Sequence, residues 1–256
     1  QDGRVSLSLG DKNVDVRVST LPSTYGERIV LRLLDKQSAQ ININDLGLPQ
    51  IILSTYKKSL SESEGIILVT GPTGSGKTTS LYAGLRDLSD SSQNILTVED
   101  PIEYTLKGIG QTQVNQKTGY SFATGLRAML RQDPDVVMVG EIRDTETAQI
   151  AIQASLTGHL VLSTVHTNSA VGAITRLRDM GIEPFLISSS LKTVISQRLV
   201  RRLCDSCKVK TTINKDIADL FGLKHNLEVY DHVGCDDCNG TGYKGRIAVA
   251  ECVNVD

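Results

Sequence analysis

Apolar and polar positions alternate with a period of two through the first 34 residues. Val5, Leu7 and Leu9, then Val14, Val16 and Val18, each stand between polar neighbours, the pattern of strands with one buried face. Thr20 to Gly26 reads as a turn and Glu27 to Leu34 as a further strand, with Arg28, Val30 and Arg32 on one face and Ile29, Leu31 and Leu33 on the other. Asp15 and Arg17 likewise oppose the valines. A half-solvated sheet with a charged outer face is expected; a basic face turned to phosphates across a domain cleft is the alternative. Residues 35–46 are polar and aperiodic and read as a linker. Pro49 opens a helix to about Ser61, with Ile51, Ile52, Tyr56 and Leu60 on its apolar side.

From Gly65 to about Leu203 short apolar runs alternate with helical patterns, which predicts an α/β fold with a parallel sheet. Strands are expected at Ile66–Thr70, Ile95–Glu99, Val136–Val139 and Leu160–Val165. Helices are expected near Lys77–Leu88, Phe122–Arg131, Thr145–Leu156 and Ala170–Met180, with another opening at Glu183-Pro184-Phe185 and reaching towards Arg198. In such sheets ligands bind outside the carboxyl ends of the strands. There the sequence places a glycine-rich loop, Glu99-Asp100, Gly140-Glu141-Ile142-Arg143 and His166-Thr167-Asn168, and these are expected to converge on one site.

The loop is Gly71-Pro72-Thr73-Gly74-Ser75-Gly76-Lys77-Thr78-Thr79. It has the pattern G-x-x-x-x-G-K-[ST] between a strand and a helix, the context a phosphate-binding loop requires. Its backbone N–H groups and the helix N-terminus favour phosphate oxygens. Lys77 is placed to reach the β- and γ-phosphates, and the Thr78 hydroxyl to bind Mg²⁺. The stretch Asp135-Val136-Val137-Met138-Val139-Gly140-Glu141 resembles a Walker B strand with Gly140 where the Mg²⁺-linked aspartate would stand. Glu141 is then the carboxylate best placed to orient or activate water, and Glu99 and Asp100 are candidates for holding Mg²⁺-bound waters; a turn or helix cap is the competing reading for either. His166 fits a γ-phosphate sensor. His159 stands at the other end of the same strand, roughly 23 Å away at ~3.3 Å per residue, where a structural role is expected. Arg127 and Arg131 share a helix face, and phosphoryl transfer needs cations on the equatorial oxygens, often from a neighbouring subunit; solvated or salt-bridged arginines are the alternative.

Charge and composition narrow the partners. In 256 residues, 27 Lys+Arg nearly balance 29 Asp+Glu, aromatics are 4%, and Trp is absent, so neither a polyanion-binding surface nor a stacking channel for single strands is indicated. No apolar run approaches the ~20 residues that span a bilayer, and no signal peptide is visible. The abrupt start and finish read as those of a fragment. Cys204-x-x-Cys207 and Cys235-x-x-Cys238, with 27 residues between the pairs, match a tetrahedral S₄ site for structural Zn²⁺, the gap holding an insertion with a helix at Lys215–Phe221. Redox use of the CxxC pairs is the competing reading. Cys252 lies outside the pattern and reads as a small buried hydrophobe. Five cysteines beside a nucleotide site fit a reducing, cytosolic setting.

Together, the Gly71–Thr79 loop, Thr97-Val98-Glu99-Asp100-Pro101-Ile102-Glu103, Arg127 to Asp135 with Gly140-Glu141-Ile142-Arg143-Asp144, and Thr157-Gly158-His159-Leu160 to His166-Thr167-Asn168 resemble the Walker A, Asp-box, Walker B and His-box motifs of the type II secretion and type IV pilus traffic ATPases. The resemblance covers nearly the whole chain, and Gly140 in place of the Walker B aspartate is itself a mark of that family. It implies a RecA-like P-loop core at 47–203, a portion of a small α+β, PAS-like pre-ATPase domain at 1–34, the linker at 35–46 and a tetracysteine zinc module with the C-terminal segment at 204–256. It implies a hexameric, Mg²⁺-dependent ATPase with ATP as substrate, cytoplasmic and held at the inner membrane through partners: a platform protein docked by an N-terminal region missing here, and the pilin-like assembly machinery. No nucleic-acid partner is expected. Arg17 and Arg32, and less securely Arg28, match arginines that close over the γ-phosphate; Arg127 and Arg131 match arginines at the subunit boundary. The tetracysteine module and the sequences Asp2–Leu7, Val14–Ser19 and Gly26–Asp35 resemble the type II secretion ATPase most, with the pilus-assembly ATPase as the alternative. A DNA-translocating ATPase of the same broad fold and a nucleotide-binding scaffold without turnover are the more distant rivals.

Overall fold

The computed structural model describes residues 2–9, 12–35, 41–89 and 92–255; Gln1, Asp256 and residues 36–40 of the expected linker lie outside them. The chain divides into two compact units, Gln1–Gln197 with Ala250–Asp256, and Arg198–Val249.

The first unit begins with β1 (Asp2–Leu9), β2 (Lys12–Ser23) and β3 (Gly26–Asp35), an antiparallel three-stranded sheet. The expected turn at Thr20–Gly26 is tighter than its composition indicated. β2 continues through Pro22, and the chain reverses at Thr24-Tyr25. Register places Val5 opposite Val16 and Val16 opposite Leu33, so the apolar alternation of all three strands falls on one face. Arg17 stands opposite Arg32 on the other. The expectation of a covered apolar face is not met. Ile29, Leu31 and Leu33 are 57%, 62% and 70% exposed, and among the described side chains of this sheet only Val16 on the central strand is buried.

Residues 43–46 then form a 3₁₀ turn capped by the Asn42 side chain, and Ile43 is buried. Lys57 Nζ donates to Asn44 Oδ1 at 2.8 Å, so this end of the polar segment is fastened to α1 (Gln50–Leu60). Next come β4 (Gly65–Thr70), α2 (Lys77–Leu88), β5 (Ile95–Glu99), β6 (Gly110–Gln113), α3 (Phe122–Met129), β7 (Val136–Val139), α4 (Thr145–Leu156), β8 (Leu160–Val165), α5 (Ala170–Asp179) and α6 (Pro184–Ser190). The helix expected to run from Glu183 towards Arg198 stops at Ser190. The β-branched Thr193, Val194 and Ile195 extend instead into β9 (Leu191–Leu203).

A seven-stranded sheet has the order β12-β9-β4-β8-β7-β5-β6, where β12 is Tyr243–Asn254. The pairs β9-β4, β4-β8, β8-β7, β7-β5 and β5-β6 are parallel. Burial on both faces explains the unbroken apolar runs of its strands. Ile66 and Leu68 pack on the side of α3, α4 and α5, while Ile67 and Val69 pack on the side of α1 and α2. β6, Gly-Gln-Thr-Gln, has no apolar pattern and was not expected; it occupies the sheet edge.

The second unit carries the end of β9, β10 (Val209–Thr212), α7 (Lys215–Leu220), β11 (Glu228–Asp231) and the start of β12; β10 and β11 pair antiparallel. Among the described residues no helix is long and apolar enough to cross a membrane.

Candidate nucleotide-binding site

The loop after β4 turns because its glycines adopt conformations that side chains resist: Gly71, Gly74 and Gly76 have φ of +141°, +79° and +87°. At Gly71 a Cβ would also collide with the Gln197 carbonyl oxygen and with Ser75 Oγ. Lys77 Nζ donates to the carbonyl oxygens of Gly71 and Pro72, each at 3.0 Å. Partial burial pulls its pKa below the ordinary lysine value, and the Glu141 charge opposes that shift. The Lys77 side chain is thus folded back onto the first two residues of the loop. Thr78 and Asp100 are exposed, and Ser75 Oγ is buried with no hydrogen-bond partner among the described residues.

Glu141 leaves the end of β7 and is buried. Hydroxyls of β8 fix its segment: Ser163 Oγ donates to Val139 O at 2.7 Å and Thr164 Oγ1 to Gly140 O at 2.9 Å, while Ile142 N donates to Thr164 O at 2.9 Å. Arg143 Nη2 donates to Glu141 Oε1 at 2.5 Å. That bond raises the arginine pKa, with the charges of Glu141 and Asp100 acting in the same direction. Oε2 faces His166 Nε2 at 3.3 Å without completing a hydrogen bond, so this buried oxygen has no donor among the described residues. The loop holding His166 is tied to the end of β4 by Thr167 N, which donates to Thr70 Oγ1 at 3.0 Å. The ends of β4, β7 and β8 are thus bound into one assembly containing Lys77, Glu141, Arg143 and His166.

Glu99 is placed differently. Tyr82 Oη donates to its Oε2; Thr97 Oγ1 and Gln111 Nε2 donate to its Oε1 at 2.5 and 3.0 Å. Burial raises its pKa and these three hydrogen bonds pull the other way. His159, at the opposite end of β8, is fastened to the end of α4 by a 2.9 Å contact between Nδ1 and Ala154 O.

The arginines do not gather at the loop as a group. Arg127 pairs with Glu146 at 2.6 Å, and Arg131 Nη1 donates to Arg127 O at 2.8 Å. Both line a groove of about 750 Å³ with Leu130, Leu156 and Leu186. Arg17 and Arg32 are exposed, and neither forms an ion pair among the described residues.

In the second unit the four sulfurs of Cys204, Cys207, Cys235 and Cys238 lie within 4.8 Å of one another. The Cys204–Cys235, Cys207–Cys238 and Cys235–Cys238 separations are 3.9, 3.8 and 3.8 Å. A tetrahedron with metal–sulfur bonds of ≈ 2.3 Å has edges of roughly 3.8 Å, which these three separations match, so the cluster is compatible with Zn²⁺. Cys235 N and Gly242 N donate to Cys238 Sγ at 3.2 and 3.1 Å. Burial alone would raise this thiol; the backbone donors together with the neighbouring Cys235 and Cys207 thiols lower its pKa, favouring the thiolate a metal needs. Sequence reasoning missed Gln197, Tyr82 and Gln111, which belong to no motif.

An α/β sheet with a phosphate loop after β4 and a buried carboxylate after β7, on either side of β8, defines the molecule as a P-loop protein. The chain belongs to the type II/IV secretion system protein family, which it matches over residues 1–256. It is 60% identical over 258 residues to the type II secretion system ATPase E of Vibrio cholerae serotype O1, covering 100% of this chain and 51% of that protein. It is 59% identical to the type II secretion system protein E of Aeromonas hydrophila, covering 100% and 52%. The chain thus spans about half the length of the curated relatives it matches. Among solved structures, the pilus retraction motor PilT with bound ADP is 32% identical with a TM-score of 0.70, covering 100% of this chain and 64% of that one. The Legionella pneumophila ATPase DotB is 25% identical with a TM-score of 0.68, covering 100% and 63%.

Proposed function

We propose that the chain is the nucleotide-hydrolysing part of a Mg²⁺-dependent ATPase motor of type II secretion, working as a hexamer on the cytoplasmic side of the inner membrane. Identity near 60% to type II secretion proteins over the whole chain supports the secretion reading. The observation that carries the chemistry is Glu141: a buried carboxylate with one oxygen lacking a donor, electrostatically coupled to the loop lysine. That oxygen accepts a proton of the attacking water and aims it at the γ-phosphate. Lys77 leaves the Gly71 and Pro72 carbonyls for the β- and γ-phosphates, and His166 steadies the water from the other side. Thr78 and Asp100 would hold Mg²⁺, which neutralises charge on the β- and γ-oxygens; Glu99 backs Asp100 from its buried position. Arg17 and Arg32, side by side on the 1–34 portion of a PAS-like domain and without an ion pair among the described residues, close over the γ-phosphate through motion of the linker at 35–46. Arg127 and Arg131 act at a subunit boundary. Zn²⁺ on the four cysteines holds the 204–256 module together. Hydrolysis powers addition of pilin-like subunits through an inner-membrane platform protein, with no nucleic acid involved.

The test is Glu141→Gln. It should bind MgATP within about threefold of wild type while phosphate release falls at least 100-fold. Normal turnover in that variant would overturn the assignment.

A further inference from the structure

The geometry points to Gln197 as a positioning residue that sets the phosphate loop for nucleotide; this deepens the proposed ATPase reading and rests on it. Gln197 is 2% exposed, one residue beyond the last paired position of β9 beside β4. Its amide is used at both ends. Nε2 donates to the carbonyl oxygen of Ser75 at 2.8 Å, and Oε1 accepts from Ser80 Oγ at 2.8 Å. Ser80 is itself held: its N–H donates to Gly76 O at 3.0 Å, and the buried Tyr56 hydroxyl donates to its carbonyl at 3.0 Å.

The consequence follows from peptide planarity. In a trans peptide the C=O and the next N–H point in opposite directions. Fixing the Ser75 carbonyl toward β9 therefore aims the Gly76 N–H away from β9, to the side where phosphate-binding loops receive their ligand. The Ser80 contact fixes the first turns of α2 against the same amide. The Gly71 backbone seats directly on the Gln197 carbonyl with no room for a Cβ. One side chain thereby sets the fifth residue of the loop and the helix that follows it, while the Gln197 main chain, which any replacement keeps, seats the beginning; an apolar replacement would leave the Ser75 carbonyl buried without a donor.

The loop binds the ground-state nucleotide and its products, so the effect should fall on affinity more than on the chemical step. In the full chain, Gln197→Met is expected to weaken MgATP and ADP binding and raise KM by about tenfold, with kcat within twofold of wild type. Ser80→Ala alone should raise KM two- to threefold, and adding it to Gln197→Met should change nothing further, because both act through one amide. Unchanged nucleotide affinity alongside a lowered melting temperature would make Gln197 a packing residue and overturn the inference, as would full additivity of the two substitutions. Where Gln197→Met does not fold, Ser80→Ala decides: an unchanged KM counts against the inference. Lys77→Ala separates the levels. If it binds nucleotide as well as wild type, the ATPase reading itself fails; if it does not bind while Gln197→Met binds normally, only this inference fails.

Discussion

Glu99 and Glu141 sit at the ends of adjacent strands, both buried, with opposite solvation. Glu99 has three side-chain donors on its two oxygens, while Glu141 keeps one oxygen without a donor. A fully engaged carboxylate holds structure, and a partly engaged one is ready to take a proton from water. The raised pKa of Glu99 gives a signed prediction. A carboxyl whose folded pKa lies above its unfolded value binds its proton more tightly when folded, so its ionisation penalises the fold above the folded pKa. That penalty disappears as pH falls towards the ordinary carboxyl value of 4.5. The melting-temperature difference between Glu99→Gln and wild type, Gln minus Glu, should therefore be largest near neutrality and shrink on acidification; a difference flat with pH contradicts the shift. Glu99→Ala removes the carboxylate to which Tyr82, Thr97 and Gln111 donate, leaving Gln111 the Tyr104 carbonyl, and should destabilise by about 2 kcal/mol in a denaturant titration. The apolar strand ahead of Glu141 made that residue legible in the sequence. The partners of Glu99 come from α2, β5 and β6, and only the fold brings them together.

Elements were legible where one periodicity ran long enough. The four expected strands at Ile66, Ile95, Val136 and Leu160 match β4, β5, β7 and β8, because runs buried on both faces need no pattern beyond continuous apolarity. β9 was not legible. Ser188-Ser189-Ser190 followed by Leu-Lys-Thr-Val-Ile sits between helical and extended preferences, and pairing with β4 decides it. The missed Gln197 lies on that strand, so the error in the element hid the residue. Helix starts were clearer. Asp144, directly after the Glu141-Ile142-Arg143 segment, accepts from Thr147 N at 2.8 Å and caps α4. Asp144→Ala should therefore cost about 1 kcal/mol of stability. With Glu141 held independently by β8, nucleotide affinity should stay within twofold; a larger loss would show that the α4 cap also shapes the site.

At the scale of the molecule, the two units are stabilised by different means. The first buries two aliphatic layers on a seven-stranded sheet and has a core of its own. The second, Arg198–Val249, leaves Ile217, Leu220, Phe221, Val233 and Val249 between 49% and 77% exposed, and its buried side chains include Cys204 and Cys238. So small a unit with so little apolar burial needs a staple, and a metal held by the four cysteines would provide one. Removing the metal with a strong chelator, or substituting Cys204→Ser, should open 198–249 to limited proteolysis while fragments retaining Tyr56, Lys77 and Glu141 stay resistant. Mass spectrometry of the cleavage sites reads this directly, and the purified protein should carry one Zn²⁺ per chain. Equal resistance of the chelated and untreated protein within 198–249 would mean that the cysteines hold no structural metal. The expected asymmetry follows because the first unit folds around buried aliphatic surface that a chelator does not touch, whereas the second, with so little apolar burial, would lose with a metal the bonds joining Cys204 and Cys207 to Cys235 and Cys238.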